Sequence, residues 1–391
     1  MSIKKEYIPI RRFPDYSKEG CWSYVNANEL FDPIVNKNHN ADLPVLAITQ
    51  DQGAVPREMI DYNVFVSEKS VAGYKIVEVG DFIISLRSFQ GGIEYSKYKG
   101  LCSPAYIVLR KKNETICNDY YRHYFKSWQF IQDLNRNLEG IRDGKMISYQ
   151  QFSEILIPYP PFAEQQKIAD CLSSIDSYIS LLSKKVEQLK VHKESLMQKM
   201  FPRKGQTVPD CRFPVFTQNK DWSIKKLNEV VGNIVTGKLD ANAMVSNGRY
   251  RFYTCAKSFF YIDKYAFDTE ALLISGNGAH VGYIHYYKGK FNAYQRTYVL
   301  SDFKCDVFFL KYFLEYSLPN RIKKEKKDGN TPYIVLSTLT DMPILLPEIE
   351  EQKRISKSLL LIDKLIDSNT DKVDWLKQQK IGLIQQLFPK L

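Results

Sequence analysis

The chain has 391 residues, 44% of them hydrophobic and 13% aromatic, with a formal net charge of +11. That length suffices for two globular domains with real cores, and with no apolar run of about 18 residues it excludes a membrane-spanning helix. With no signal-peptide pattern either, the expected location is the cytoplasm. The seven cysteines stand singly, without a Cys-x-x-Cys pair, and read as reduced core thiols rather than metal ligands or disulfides. The charge is uneven: residues 203–341 hold 21 Lys/Arg against 13 Asp/Glu, so +8 of the +11 lies there. A basic stretch between near-neutral neighbours points to a polyanionic partner.

Residues 1–155 read as a first globule, with strands expected at Val45–Thr49, Phe82–Leu86 and Ala105–Leu109 and a helix from Asp119 to Leu134. A long helix follows within 156–202. Apolar residues at Ile168, Leu172, Ile175, Ile179, Val186 and Leu189 step by fours and threes, a heptad seam that seeks a partner helix. Lys204 to Lys220 is a joint. Residues 203–341 form a second globule, with strands expected at Tyr250–Cys255, Ala271–Ser275 and Tyr298–Ser301 and a helix from Asp306 to about Lys327. The last segment, 342–391, repeats the seam at Ile355, Leu359, Ile362, Ile366, Val373 and Leu376.

The two long helices are copies. Between Pro160–Pro202 and the stretch 187 residues later, 17 of 43 positions are identical, including Glu164-Gln165 (Glu351-Gln352) and Phe201-Pro202 (Phe388-Pro389). The likeness reaches the globules: Arg12-Phe13-Pro14, Trp22-Ser23 and Asn28-Glu29 recur 200 residues on as Arg212-Phe213-Pro214, Trp222-Ser223 and Asn228-Glu229. Asp143-Gly144 and Asp328-Gly329 also correspond. The chain is therefore globule, rod, globule, rod, an α+β tandem repeat whose rods can pair antiparallel about a pseudo-twofold. Lys193 and Lys380 interrupt the seam at the same heptad place; fixing the register and snorkelling at the edge are equally good readings. Two DNA-reading modules on such rods would meet two half-sites a fixed distance apart, and unlike loops would read unlike half-sites.

These features resemble the specificity subunit of Type I restriction-modification systems over nearly the whole chain. The resemblance is carried by Ile157-Pro-Tyr-Pro-Pro-Phe-Ala-Glu-Gln-Gln-Lys-Ile168, its echo Leu345-Leu-Pro-Glu-Ile-Glu-Glu-Gln-Lys-Arg-Ile355, and the joint Val208-Pro-Asp-Cys-Arg-Phe-Pro-Val-Phe-Thr217. The stretch Gly80 to Gly92 with Ser103-Pro-Ala-Tyr106 resembles one subtype of the family's target-recognition domains. It implies two such domains, at 1–155 and 203–341, separated by two antiparallel coiled-coil helices, the central 156–202 and the distal 342–391. The implied chain is non-catalytic. It binds double-stranded DNA at a bipartite asymmetric target, and its helices set the spacer and recruit two methyltransferase subunits together with restriction subunits. S-adenosylmethionine, ATP and Mg are then expected on the partner subunits and no cofactor in this chain.

Rival chemistry is weaker. Gly232 to Lys238 fits G-x-x-x-x-G-K, but Leu239 stands where a nucleotide-binding loop needs Ser or Thr for Mg²⁺. Tyr159 precedes Pro160-Pro161-Phe162, so the Asn or Asp that would grip an adenine amino group is missing. Glu351-Gln352-Lys353 imitates a nuclease site but has the twin Glu164-Gln165-Gln166, and an acidic helix start explains both. A nucleotide-binding enzyme and a coiled-coil protein adaptor remain the alternatives. For base reading, exposed Arg, Lys, Gln and Asn are the useful types. The first globule offers Arg57, Arg87, Ser88, Gln90 and Tyr95; the second offers Tyr253, Lys257, Asn277, His280, Gln295 and Arg296. Lys323, Lys324, Lys326 and Lys327 form a cluster suited to phosphate.

Overall fold

The computed structural model describes residues 8–40, 42–60, 71–136, 147–325 and 333–389. Asp143-Gly144, Asp328-Gly329, Lys326 and Lys327 lie outside the described residues. In the first half the main elements are β1 (Phe31–Ile34), β2 (Phe82–Ile84), β3 (Glu94–Tyr95), β4 (Ile107–Lys111), α1 (Asn118–Tyr124), α2 (Trp128–Arg136) and the long α3 (Phe162–Met200). In the second half they are β5 (Val231–Thr236), β6 (Tyr250–Tyr253), β7 (Phe260–Ile262), β8 (Phe267–Ser275), β9 (Ile284–Ala293) and β10 (Thr297–Phe303). Helix α4 (Val307–Glu325) and the long α5 (Ile349–Leu387) complete it. By packing, the chain divides into residues 1–182 with 371–391, and residues 183–370. The division falls inside each long helix, so each packing unit contains part of both. None of the helices is long and apolar enough to cross a membrane among the described residues.

In the first unit an antiparallel sheet runs β1-β4-β2-β3. Its buried face packs on α1 and α2 through an aromatic core that includes Phe31, Phe82, Tyr121, Phe125, Phe130 and Phe152. The rings meet edge-on, as their quadrupoles favour: Phe31 lies 5.5 Å from Phe82 and 5.1 Å from Tyr121, each at 83°. The same core takes in Ile168 and Leu172 from the start of α3 and Leu387 and Phe388 from the end of α5. The continuous helix expected from Asp119 to Leu134 is broken at Phe125–Ser127. Gly92, at φ +79°, passes so close that a Cβ there would sit 2.0 Å from the Phe125 carbonyl oxygen, so loop and helix turn are fitted to each other.

The second unit keeps the plan and extends it. Its sheet order is β5-β10-β8-β9-β6-β7, so β5-β10-β8-β9 corresponds strand for strand to β1-β4-β2-β3. Phe291 of β9 pairs with Phe267 at the start of β8, while Thr297 of β10 pairs with Ser275 at its end. The eight extended steps from Phe267 to Ser275 separate those ends by about 27 Å. The six steps from Phe291 to Thr297 reach at most about 21 Å. The sheet must therefore curl, and a Cβ on Gly237, after β5, would lie 1.8 Å from the Ala293 carbonyl oxygen. One face packs on α4 through Leu272, Ile274 and Leu300; the other encloses a second core of Tyr253, Leu273, Phe291 and Val299. Met197, Met200 and Phe201 of α3 join Ile355 and Leu359 of α5 in the α4-facing core. Strand β5 runs through Gly232–Thr236, so the G-x-x-x-x-G-K match is extended backbone and not a phosphate-cradling loop.

The repeated short motifs form the same buried latch in each unit. Arg12 donates through Nε and Nη2 to both oxygens of Glu164, each at 2.7 Å, and Arg212 does so to Glu351 at 2.8 and 2.7 Å. Glu164 and Glu351 are buried, so their role goes beyond the acidic helix start expected from sequence. Charge-assisted bidentate pairs of this kind stabilise only while both partners remain. The neighbouring Gln165 accepts from the Cys117 amide heading α1 (2.9 Å) and donates to the Pro160 carbonyl (2.8 Å). Gln352 repeats this with the Asp306 amide and the Pro347 carbonyl at the same distances. Ribbons Ser23–Asn26 with Leu156–Tyr159, and Ser223–Lys226 with Pro343–Leu346, fasten the start of each globule to its exit.

The seam residues Ile168, Leu172, Ile175, Ile179, Val186 and Leu189 are buried or half-buried, as are Ile355, Leu359, Ile362, Ile366, Val373 and Leu376. Each unit pairs the start of one long helix with the end of the other, hence antiparallel. In the first, Lys380 bonds Asp176 at 2.5 Å; in the second, Lys193 bonds Asp363 at 2.7 Å, with Glu315 at 3.6 Å. Asp176 and Asp363 are 187 residues apart, as are Lys193 and Lys380. One ion pair, written twice, holds these lysines at corresponding places in the two units.

Candidate nucleic-acid interface

The strand correspondence makes the loops comparable. The connection β2–β3 (residues 85–93) in the first unit matches β8–β9 (276–283) in the second, and the segments leading into β4 and β10 match likewise. Of the sequence-selected residues, Arg87, Ser88, Gln90, Asn277, His280, Gln295 and Arg296 fall on these loops.

In the first unit, Ser88–Gly91 is a single helical turn with Arg87 and Gln90 exposed on it. The Gln50 side chain, on the tight turn between strands Leu46–Thr49 and Gly53–Pro56, reaches the Arg87 carbonyl at 3.4 Å. Ser88 is different: it is 1% exposed, and its Oγ accepts from the Ser85 amide at 2.9 Å. It shapes the turn and does not face solvent. Tyr95 is half-buried, its ring 5.4 Å from Phe82 with the Arg122 guanidinium 5.5 Å away, and burial raises its pKa. Arg57 begins a short turn at the other end of the Leu46–Pro56 hairpin, where its amide donates to Val45, so the fold does not bring it to Arg87 and Gln90.

In the second unit, Gln295 and Arg296 are exposed on the β9–β10 turn, and the Arg296 carbonyl accepts from the Gly276 amide at 2.8 Å. That bond brings them beside Asn277 and, three residues on, His280. A hollow of about 240 Å³ lies among Thr236, Gly276, Gln295, Arg296, Tyr298 and Ile334. Lys257 follows β6 on a loop whose Ala256 carbonyl meets His285 at 2.9 Å, and it too is exposed. Tyr253 is 1% exposed, between Phe291, Tyr287 and His285; its hydroxyl bonds Arg251, and burial raises its pKa. It is a core residue and not a contact. Lys323 and Lys324 are exposed in the last turn of α4. Lys324 and the nearby Lys204 rim a groove of about 790 Å³, and Lys204 lowers the pKa of Lys324.

Two parts of this edge, Gln50 and Lys238, escaped the sequence reading as candidate contacts. Gln50 gave no signal beyond a hairpin turn. Ser103–Tyr106, singled out by resemblance, leads into β4 as Gln295-Arg296 leads into β10, which the strand order reveals. Lys238, noticed as part of a nucleotide-binding motif, is exposed next to Leu239, whose carbonyl accepts the Gln295 amide at 2.9 Å.

One strand plan with exposed polar residues on corresponding loops occurs twice in the chain, and comparison with known proteins also finds two copies of one domain. The family model for the Type I restriction modification DNA specificity domain matches residues 25–191 and again 219–378. The chain belongs to this family. It is 37% identical to the Type I restriction enzyme EcoDI specificity subunit of Escherichia coli over 158 residues, 40% of this chain and 35% of that protein. It is 27% identical over 348 residues to the MjaVIII specificity subunit of Methanocaldococcus jannaschii, covering 80% of this chain and 79% of that one. In fold it is similar to the crystal structure of a Type I restriction-modification S subunit from M. genitalium, with a TM-score of 0.62 at 16% identity over 98% of this chain and all of the other.

Proposed function

We propose that the chain reads a bipartite DNA target, one half through the 85–93 and 103–106 loops and the other through the 276–283 and 294–296 loops. The observation that carries this reading is one scaffold, occurring twice, with different exposed polar residues on corresponding loops. Shared strands explain a shared docking geometry; unlike loops explain unlike half-sites. Arg87, Arg296, Gln90, Gln295 and Asn277 supply the planar donors and amides that recognise base edges, and lysines such as Lys238, Lys257, Lys323 and Lys324 supply phosphate contacts. The paired helices α3 and α5 hold modification subunits, two per chain, with restriction subunits beyond them, and set the spacer between half-sites. The chain does no chemistry itself; methyl transfer and ATP hydrolysis, with their cofactors, belong to those partners.

The test is enrichment of a randomised duplex library by the full chain with its modification subunits. The recovered motif should contain two unlike blocks separated by a fixed, unspecified spacer. Arg87→Ala should relax one position of one block, costing about 1–3 kcal/mol of discrimination, and Arg296→Ala should do the same in the other block. A single continuous block, or both variants acting on the same block, would overturn the proposal.

A further inference from the structure

Lys126 sits in the turn between α1 and α2, against the inner side of the 85–93 loop. Its ammonium has three hydrogen-bond donors and meets three acceptors: the Glu94 carboxylate at 2.5 Å, the Gly91 carbonyl at 2.9 Å and the Gln50 carbonyl at 3.3 Å. Its side chain is 28% exposed and that of Glu94 only 2%. The loop is also held by the Ser88 hydroxyl, the close approach of Gly92 to Phe125, the Asn135 side chain donating to the Phe89 carbonyl at 3.0 Å and the Gln50 side chain donating to the Arg87 carbonyl at 3.4 Å. Arg87 and Gln90 project from the outer side. Lys126 bonds both this loop and the neighbouring Gln50 turn, so it joins two segments of the edge to one point of the helical turn.

We infer that Lys126 is a positioning residue for base reading in the first half-site, an inference that rests on the role proposed above for the 85–93 loop. The tie is particular to one unit. The corresponding place in α4, nine residues beyond the Asp306 amide as Lys126 is beyond Cys117, holds Glu315, which bonds Lys311 and faces Lys193 instead of a loop. Loss of Lys126 should therefore disturb one half-site and spare the other, which a merely structural role would not do.

The test uses the full chain with its modification subunits and a randomised duplex library as probe. Lys126→Met combined with Glu94→Gln removes the donor and its buried carboxylate together, leaving no uncompensated charge. Discrimination in the first block should fall about tenfold, the worth of one good base contact, with the second block unchanged and the melting temperature near that of the parent. Should this double variant not fold, Lys126→Arg decides. It keeps a cation beside Glu94, but a planar fork replaces three diverging donors, so it too should lose discrimination in the first block alone. Arg87→Ala and Gln90→Ala run in parallel. If they relax the first block while the Lys126 variants leave it intact, the positioning role is wrong but the loop still reads. If Arg87→Ala and Gln90→Ala leave both blocks unchanged, the loop does not read, and the role of Lys126 falls with it. Equal weakening of both blocks by the Lys126 variants would also overturn it.

Discussion

His123 and Tyr312 stand six residues beyond the amides capped by Gln165 and Gln352, and they show how one scaffold position takes two chemistries. Tyr312 donates to Asp363 at 2.6 Å, and burial with that carboxylate pushes its pKa up. His123 is 3% exposed, with Nδ1 3.9 Å from Asp176 and Nε2 3.3 Å from the Ser173 hydroxyl. Burial, then the charges of Lys380 and Arg122, hold its pKa down to about 2. The unfolded chain binds a proton there near its ordinary pKa of about 6.5, so stability present above that pH is lost as pH falls, by up to about 1.4 kcal/mol per unit. His123→Tyr removes this proton uptake. Its melting temperature should fall less steeply between about pH 6.5 and about pH 4.5 than that of the parent. Equal slopes in thermal melts would show that His123 is not held neutral.

The long helices were the most legible elements, because a heptad stripe persists whatever packs against it and the second copy repeats even its interruptions. Strands were harder. Strand β9 places Lys288, Gly289 and Lys290 in mid-strand, where the sheet bends with Gly289 at φ +132°, and this breaks the alternation that marks a strand. Strand β5 was masked by a phosphate-loop pattern that its own extended backbone refutes. The run from Tyr120 to Phe130 looked like one helix because its apolar spacing continues across a break imposed by Gly92, distant in sequence. At the site, residue type picked out Arg87, Gln90, Gln295 and Arg296, which the fold leaves exposed on loops. It could not tell which side of a loop Ser88 or Tyr253 would face, since that depends on packing partners elsewhere. The latch was the missed opportunity, because Arg12 and Glu164 recur as Arg212 and Glu351 and a repeated opposite charge is a signal. The helix pair gives a test at this scale. Lys193 and Asp363 have side chains 16% and 27% exposed, with Tyr312 also bonded to Asp363. Asp363→Ala should destabilise the chain by about 1–3 kcal/mol in urea unfolding, because it leaves the Lys193 ammonium only the longer contact to Glu315 and strands the Tyr312 hydroxyl. Lys193→Met added to Asp363→Leu should recover most of that loss. If Asp363→Ala costs nothing, the pair is surface decoration and does not set the register.

For the whole molecule, each packing unit is completed by both long helices, and the division falls inside them, after Leu182 and after Thr370. The ion pair Asp176–Lys380 lies wholly within one unit and Lys193–Asp363 wholly within the other. Seven residues inserted at each division, in heptad phase, therefore leave both pairs and the four loops proposed to read DNA untouched and continue the seam. Each helix lengthens by about 10 Å at 1.5 Å per residue. Along B-DNA, at about 3.4 Å per base pair, that corresponds to as many as about three additional base pairs between the half-sites. Two residues inserted at each division rotate the downstream seam by roughly 200° and should disrupt pairing, which separates length from phase. The observable is the motif recovered from the randomised library by the lengthened chain with its modification subunits. Both blocks should keep their bases while the spacer grows. A lengthened chain that folds, binds and keeps the original spacer would show that the helices hold the modules together without measuring the distance between half-sites.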